Sequence, residues 1–383
     1  MINNSKKTVL ITGGAGFIGL NLTKHLLHLS GYNLRILDNL SEQIHGKNPL
    51  GNERLRSVLD KVEFIHGDIT NIADIKKSLD NVEIVVHLAS ETGTGQSMYQ
   101  ISRYVEVNQL GTANLLQAIA ENETKIDKFI LASSRAVYGE GLYNCKNHGL
   151  FIPDSRKEEN LLKGKFEIFC DKCNEVAYPE KSSEDINPKP TSIYGINKFN
   201  QEQLTLNLCN NMNIDSIVLR LQNVYGPGQS LSNPYTGIIS IFTNRIISKK
   251  EIFIFEDGKE TRDFVYIDDV IDIFSKVITS ENIKSYILNV GSGIPTKIID
   301  LVKNLGEAIN IKPKILVTGE FRVGDIRHNS ADLKKINSLF KNFIFTPLDI
   351  GLKKFCEWVK NQQIKEDHYE KSIMELHKKG LLK

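Results

Sequence analysis

Cysteine is scarce in this 383-residue chain: five residues, three of them within one 29-residue stretch. A run of 18 or more apolar residues, which a membrane-spanning helix needs, is absent. The polar lead before "TVLIT" has neither the apolar core nor the small-residue cleavage site of a signal peptide, so the expected location is the cytoplasm. Thiols stay reduced there, and clustered cysteines are then read as metal or catalytic ligands before disulfides. Charge of one sign is lacking too. A formal net charge of +2, with acidic and basic residues interspersed, offers no field suited to nucleic acid or an anionic membrane as the main partner. Repeats and low-complexity segments are also missing. What remains is ordinary globular composition, 40% hydrophobic and 25% charged, with length enough for a sizeable core and a small molecule as the expected ligand.

The first half alternates short β-branched runs with amphipathic stretches of helical length. The runs are "TVLIT" (8–12), "NLRILD" (33–38), "VEFIHGD" (62–68), "VEIVVHLA" (82–89), "FILASS" (129–134) and "IVLRL" (217–221). Such nearly continuous apolar strands belong to a parallel sheet covered on both faces. The expected fold is α/β, doubly wound, over 1–222, with 262–293 returning to the sheet. From Asn223 the pattern loosens, and 223–383 is expected to form a smaller substrate-covering domain. Near the end, Tyr369, Ile373 and Leu376 stand at helical spacing, which suits a docked or a solvated helix.

"TGGAGFIG" (12–19) follows the first run and precedes "LNLTKHLL". Gly13 permits a tight turn, Gly16 lets backbone N–H groups approach a pyrophosphate, and Gly19 allows close packing at the positive end of a helix. Asp38 ends the second run, where its carboxylate can accept hydrogen bonds from an adenosine ribose; it would repel a 2′-phosphate, so NAD is expected rather than NADP. Asp68 is either an adenine contact or a turn and cap residue. Phe17, Ile18, Asn39, Ile69, Leu88 and Ala89 complete the expected cofactor-binding set of this Rossmann-type unit.

"SIYGINK" (192–198) sets Tyr194 and Lys198 four residues apart, on one face of a helix. A phenol with its ordinary pKa near 10 is a poor base at neutral pH, but an adjacent ammonium favours the phenolate. The pair can then take a proton from a sugar hydroxyl while hydride leaves the same carbon. The fifth run ends in "ASSRAVYG" and supplies Ser134 as a hydroxyl donor.

Together with "HLAS", "VNQLGT", "YGINK", "RLQNVYGPG", "RDFVYIDDV" and "RVGDIRH", these motifs resemble, in order and over nearly the whole chain, the extended short-chain dehydrogenase/reductase family of NAD-dependent sugar-nucleotide epimerases and dehydratases. The resemblance implies that Ser134, Tyr194 and Lys198 are catalytic, and that Asn108 supports the active-site helix and the cofactor side unless it is a simple helix cap. It also implies that Asn223, Arg262 and Arg327 hold the sugar or diphosphate, the arginines by bidentate bonding to phosphate oxygens. A homodimer is implied as well. The Asp–Glu pair that performs elimination in the family's dehydratases is replaced by Arg135 and Ala136, which leaves reversible oxidation at one sugar carbon. The loops "DNLSEQIHG", "GQSMYQI", "YGEGLY", "QSLSNPYTGIISIF" (with Asn233) and "FRVGDIRH" are similar to those of the group that interconverts dTDP-L-rhamnose and dTDP-6-deoxy-L-talose. A UDP-glucose or other UDP-hexose 4-epimerase, or a nucleotide-sugar reductase or dehydrogenase, stays open.

Sixty residues separate Ser134 from Tyr194, more than twice the interval typical of that family. The excess, 141–190, carries "YNCKNHG" and "FCDKCNE": Cys145 and His148, then Cys170 and Cys173. Three thiolates and one imidazole on two short knuckles match a structural Cys3His zinc site, a zinc-ribbon-like insertion. Gly149 and Asn174, one residue past each knuckle, tolerate the left-handed backbone of a chain turning around a metal. So polar an insert cannot order itself by burial, and metal binding can supply the missing folding energy. Cys209 and Cys356 stand in apolar helical patterns and are expected in the core.

Overall fold

The computed structural model describes residues 6–29, 31–235, 237–341, 343–362 and 367–383. Seven strands form its central sheet: β1 (Lys7–Thr12), β2 (Tyr32–Asp38), β3 (Glu63–His66), β4 (Ile84–His87), β5 (Lys128–Ser134), β6 (Asp215–Leu221) and β7 (Tyr286–Val290). All pair in parallel, in the order β7-β6-β5-β4-β1-β2-β3. Helices cover both faces. Val9 and Ile11 therefore enter one core cluster and Leu10 the other, all three with no exposed surface. That two-sided burial is why the strands read as unbroken apolar runs; each such side chain contributes about 1.5–3 kcal/mol. Strand order reverses between β1 and β4, and the crevice at their carboxyl ends is the expected place for a ligand. There β3 and β4 stop short of their apolar runs, because the chain turns off at Gly67 and Leu88 to line a cavity.

The return of 262–293 to this sheet is narrower than its sequence suggests. Only β7 joins it, beside β6. Thr261–Tyr266 instead pairs with Asn223–Tyr225 and Pro295–Lys297 in a separate three-stranded sheet, because its Arg262 and Asp263 serve loops outside the Rossmann core. The Tyr369–Lys378 helix is docked, with Tyr369 and Leu376 buried. Among the described residues no helix is long and apolar enough to cross a membrane.

Between β5 and the helix Ile193–Met212 lies the insert. Leu142–Cys145 pairs antiparallel with Gly149–Phe151 and with Tyr178–Glu180, around a small apolar cluster of Tyr143, Ile168 and Ala177. Its two ends touch. Gly139 has φ +60°, and a Cβ there would stand 2.0 Å from the Lys189 carbonyl oxygen.

Candidate active site and metal centre

A cavity of about 1220 Å³ runs along the carboxyl ends of the sheet. At one end lies the loop between β1 and the helix Phe17–Leu29. Gly13, at φ +68°, makes the turn. A Cβ on Gly19 would fall 2.5 Å from Gly14 Cα and 2.6 Å from the Gly13 carbonyl oxygen, so glycine here lets the loop fold onto the helix start. Gly16, Phe17 and Ile18 line the same wall. Asp38, buried at the end of β2, accepts the N–H of Ala15 at 3.0 Å and of Leu40 at 2.8 Å. His45 Nε2 lies 3.4 Å from its carboxylate. Asn39, Ile69, Leu88 and Ala89 also face the cavity.

Two expected cofactor residues are engaged by protein groups. Asp68 does not line the cavity: its carboxylate accepts hydrogen bonds from Asn39 and Thr70, which hold its pKa below the usual carboxylate range against burial. Asn108 is fully buried and is not a helix cap. Its Oδ1 accepts from the Glu91 N–H at 2.7 Å and the Ser90 hydroxyl at 3.0 Å, so it braces the turn after β4 that lines the cavity. The neighbouring Gln109, through Asn197, ties this segment to the active-site helix.

At the centre Ser134, Tyr194 and Lys198 converge. Ser192 caps the helix that carries the latter two, accepting the Gly195 N–H at 3.1 Å. Burial raises the Tyr194 pKa, while a hydrogen bond with Ser134 and the charge of Arg135 pull it down. Lys198 donates to the Ala132 carbonyl at 3.0 Å, and its Nζ lies 5.9 Å from the Tyr194 ring centre. Burial lowers the Lys198 pKa to about 7, opposed by Glu202 one turn further on.

The other end is cationic. Arg135, Asn223, Asn233 and Arg262 line it, as does Arg322, which the motif reading passed over. Arg54, passed over too, lines the cavity beside the Phe17–Leu29 helix, its Nη2 donating to Asn21 Oδ1 at 2.8 Å. Burial, with Arg262 alongside, lowers the Arg135 pKa to about 10. Asn223 Nδ2 and the Nε atoms of Arg54 and Arg322 are buried donors without a protein partner, a donor set suited to a polyanion. Asn233 shapes its own turn, accepting the Tyr235 N–H at 3.0 Å. Arg327 contradicts its expected role. It is fully buried away from the cavity, and its guanidinium is saturated by Glu167, Glu256 and Asp257 at 2.6–3.1 Å. "FRVGDIRH" holds two arginines five residues apart, and the first, not the last, faces the cavity.

In the insert, Cys145, His148, Cys170 and Cys173 place their ligand atoms within 4.8 Å of one another. Cys145 Sγ is 3.6 Å from Cys173 Sγ and 3.6 Å from His148 Nδ1, and Cys170 Sγ is 3.4 Å from the same nitrogen. Tetrahedral zinc with Zn–S bonds of about 2.3 Å sets sulfurs about 3.8 Å apart, so the donor set fits that ion. Gly149 and Asn174 take the left-handed backbone expected of them, at φ +75° and +57°. The cysteines are free thiols, and Cys209 and Cys356 are buried in the apolar core.

A family profile described as the NAD dependent epimerase/dehydratase family matches residues 9–291. Over 331 residues the chain is 37% identical to a dTDP-L-rhamnose 4-epimerase of Burkholderia thailandensis, spanning 86% of this chain and 88% of that one. It is 32% identical to a putative UDP-glucose 4-epimerase of Methanocaldococcus jannaschii, over 92% and 98% of the two chains. The crystal structure of UDP-glucuronic acid 4-epimerase from Bacillus cereus, in complex with UDP-glucuronic acid and NAD, superposes with a TM-score of 0.75 at 27% identity, covering 92% of this chain and 99% of that one.

Proposed function

From the premise that the chain belongs to the NAD-dependent epimerase/dehydratase family, we propose that it inverts C4 of a nucleotide-linked sugar, converting dTDP-L-rhamnose to dTDP-6-deoxy-L-talose. NAD, when bound, supplies the hydride acceptor; Gly13–Gly19 and Asp38 would hold it, since the glycine loop is a cradle that a Cβ would fill. Tyr194 takes the C4 hydroxyl proton. The Ser134 hydroxyl and the charge of Arg135 favour its phenolate, and Lys198 adds to this when protonated. The resulting 4-keto sugar stays tethered by its diphosphate at Arg262 and Arg322, turns over, and regains a proton from Tyr194 as hydride returns to the other face. Arg135 and Ala136 offer no carboxylate for elimination of water, which favours epimerisation over dehydration.

The observation that carries this reading is the convergence of Ser134, Tyr194 and Lys198 between a glycine cradle and a cationic wall in one cavity. The sugar assignment is supported by the 37% identity to the Burkholderia enzyme; a UDP-hexose substrate is the second reading, favoured by the Methanocaldococcus relative. In the same reading the Cys3His cluster holds a structural zinc, and the enzyme is a cytoplasmic homodimer. The test is incubation with dTDP- and UDP-sugars, without added cofactor, followed by NMR of the products. Conversion of dTDP-L-rhamnose is expected; clean conversion of a UDP-hexose alone would reassign the sugar, and turnover only with added NADH or NADPH would replace epimerisation by net reduction.

A further inference from the structure

The loop Asp325–His328 is held from two sides. From the cavity side, Arg262 donates through Nη2 to Asp325 Oδ1 at 2.9 Å and to the Ile326 carbonyl at 2.8 Å, and through Nη1 to the Arg327 carbonyl at 3.1 Å. Asp325 lies among Arg262, Arg322 and Arg135, which hold its pKa at about 2 although burial pushes the other way. From the opposite side come the insert and the residue just before it. Glu140 accepts the Arg327 N–H at 2.8 Å, and Arg156 donates to the Asp325 carbonyl at 2.9 Å. Glu167 accepts from Arg327 Nη2 at 2.6 Å and Nε at 3.1 Å, and its other oxygen lies 3.2 Å from His328 Nε2. Leu161 and Phe166 of the insert pack on Phe321 and Val323, the residues flanking Arg322.

Glu167 is in turn fixed by the cysteine–histidine cluster. It precedes Ile168, whose carbonyl accepts the Ala177 N–H at 2.9 Å, and the Cys170 N–H is accepted by the Glu175 carbonyl at 2.8 Å; this narrow hairpin carries Cys170 and Cys173. The strand ending in Cys145 lies against it through Tyr143 and Ile168. So few apolar groups do not order a segment of this length by burial alone, and a metal joining the two knuckles would supply the missing order.

We propose that the metal-held insert is a positioning device for the diphosphate of the substrate: through Glu167, Arg156 and the Asp325–His328 loop it sets where Arg262 and Arg322 stand. The inference rests on the nucleotide-sugar reading above. Glu167 is its positioning residue; it does not face the cavity, so its removal acts on binding through the loop.

The test compares wild type, Glu167→Gln, Glu167→Asp and Cys170→Ser as NAD-loaded full chains. Zinc content, calorimetric binding of UDP and dTDP, and KM and kcat for whichever nucleotide sugar the wild type converts are measured. Glu167→Gln is expected to keep zinc and a kcat within about twofold, while KM and the nucleoside diphosphate Kd rise about tenfold, the scale of one charge-assisted hydrogen bond. Glu167→Asp should recover part of that loss, and Cys170→Ser should lose zinc and weaken binding in the same direction. Unchanged KM and Kd in Glu167→Gln would overturn the proposal, as would a fall in kcat alone, which marks a general loss of active protein. Zinc loss with unchanged binding in Cys170→Ser would sever the metal from the site. Failure of the wild type to bind either nucleotide would instead defeat the underlying functional reading, and this inference with it.

Discussion

Replacing Arg327 by methionine removes a fully buried cation from the midst of Glu167, Glu256, Asp257 and Glu260. Glu256 and Glu260 are themselves buried, and burial raises the Glu260 pKa to about 7 even with Arg262 opposing it. Breaking such a pair costs about 3–5 kcal/mol, most of it the desolvation of the partner left behind. With an unfolding entropy near 2.1 cal/mol/K per residue, that is a fall in Tm of about 4–6 °C for a chain this long. The pH dependence distinguishes this mechanism from a packing defect. A carboxylate whose folded pKa lies above its unfolded value destabilises fully above the folded pKa and not at all below the unfolded one. Glu167 acts in a lower window: His328 and Arg327 hold its pKa at about 2, so its stabilisation is constant between pH 5 and 8 and is lost only below about 4.5. The gap in Tm between wild type and Arg327→Met, carried in this range by Glu260, should therefore be larger at pH 8 and shrink towards pH 5. Thermal unfolding of both proteins across that range is the assay. A gap that stays constant or widens on acidification would refute the reasoning.

Gly19→Ala places a methyl 2.5 Å from Gly14 Cα, so the variant should purify without NAD; a wild-type content of released dinucleotide, measured by chromatography, would contradict the cradle. Tyr194→Phe should retain NAD and nucleoside diphosphate while kcat falls about 10²–10⁴-fold, and undiminished turnover would remove Tyr194 as the base. Elemental analysis should find about one zinc per chain, lost in Cys173→Ser together with thermal stability; a metal-free protein with a protease-resistant insert would exclude the metal site.

The sheet was legible because two-sided burial leaves a one-dimensional trace, consecutive apolar residues through the middle of β1, β4 and β5. The cysteine–histidine cluster was legible because two residue pairs at short spacing need only two local turns. Residues whose task depends on which way a loop faces were less readable. Arg322 and Arg327 share one motif, and nothing local says that the insert draws Arg327 away with Glu167 while Arg322 stays on the cavity wall. Asn108 was placed near the site, but its partners, Ser90 and Glu91, are 18 and 17 positions earlier and come together only through the sheet. The Thr261–Tyr266 strand ends in the apolar run Phe264–Tyr266, which fits the large sheet as well as the small one, and the choice is made by pairing with Asn223–Tyr225.

The contact between Gly139 and Lys189 makes the insert a side branch: the chain leaves and re-enters at one point. A unit attached in this way can be acquired or shed in one genetic event without altering the connectivity of the strands beneath it. Serine and tyrosine would stay in register across such an exchange, because β5 and the Ile193–Met212 helix hold them independently. If the insert acts as proposed, chains built on this plan could diversify in their grip on a sugar nucleotide by exchanging a peripheral graft, while the residues beneath it pass down unaltered.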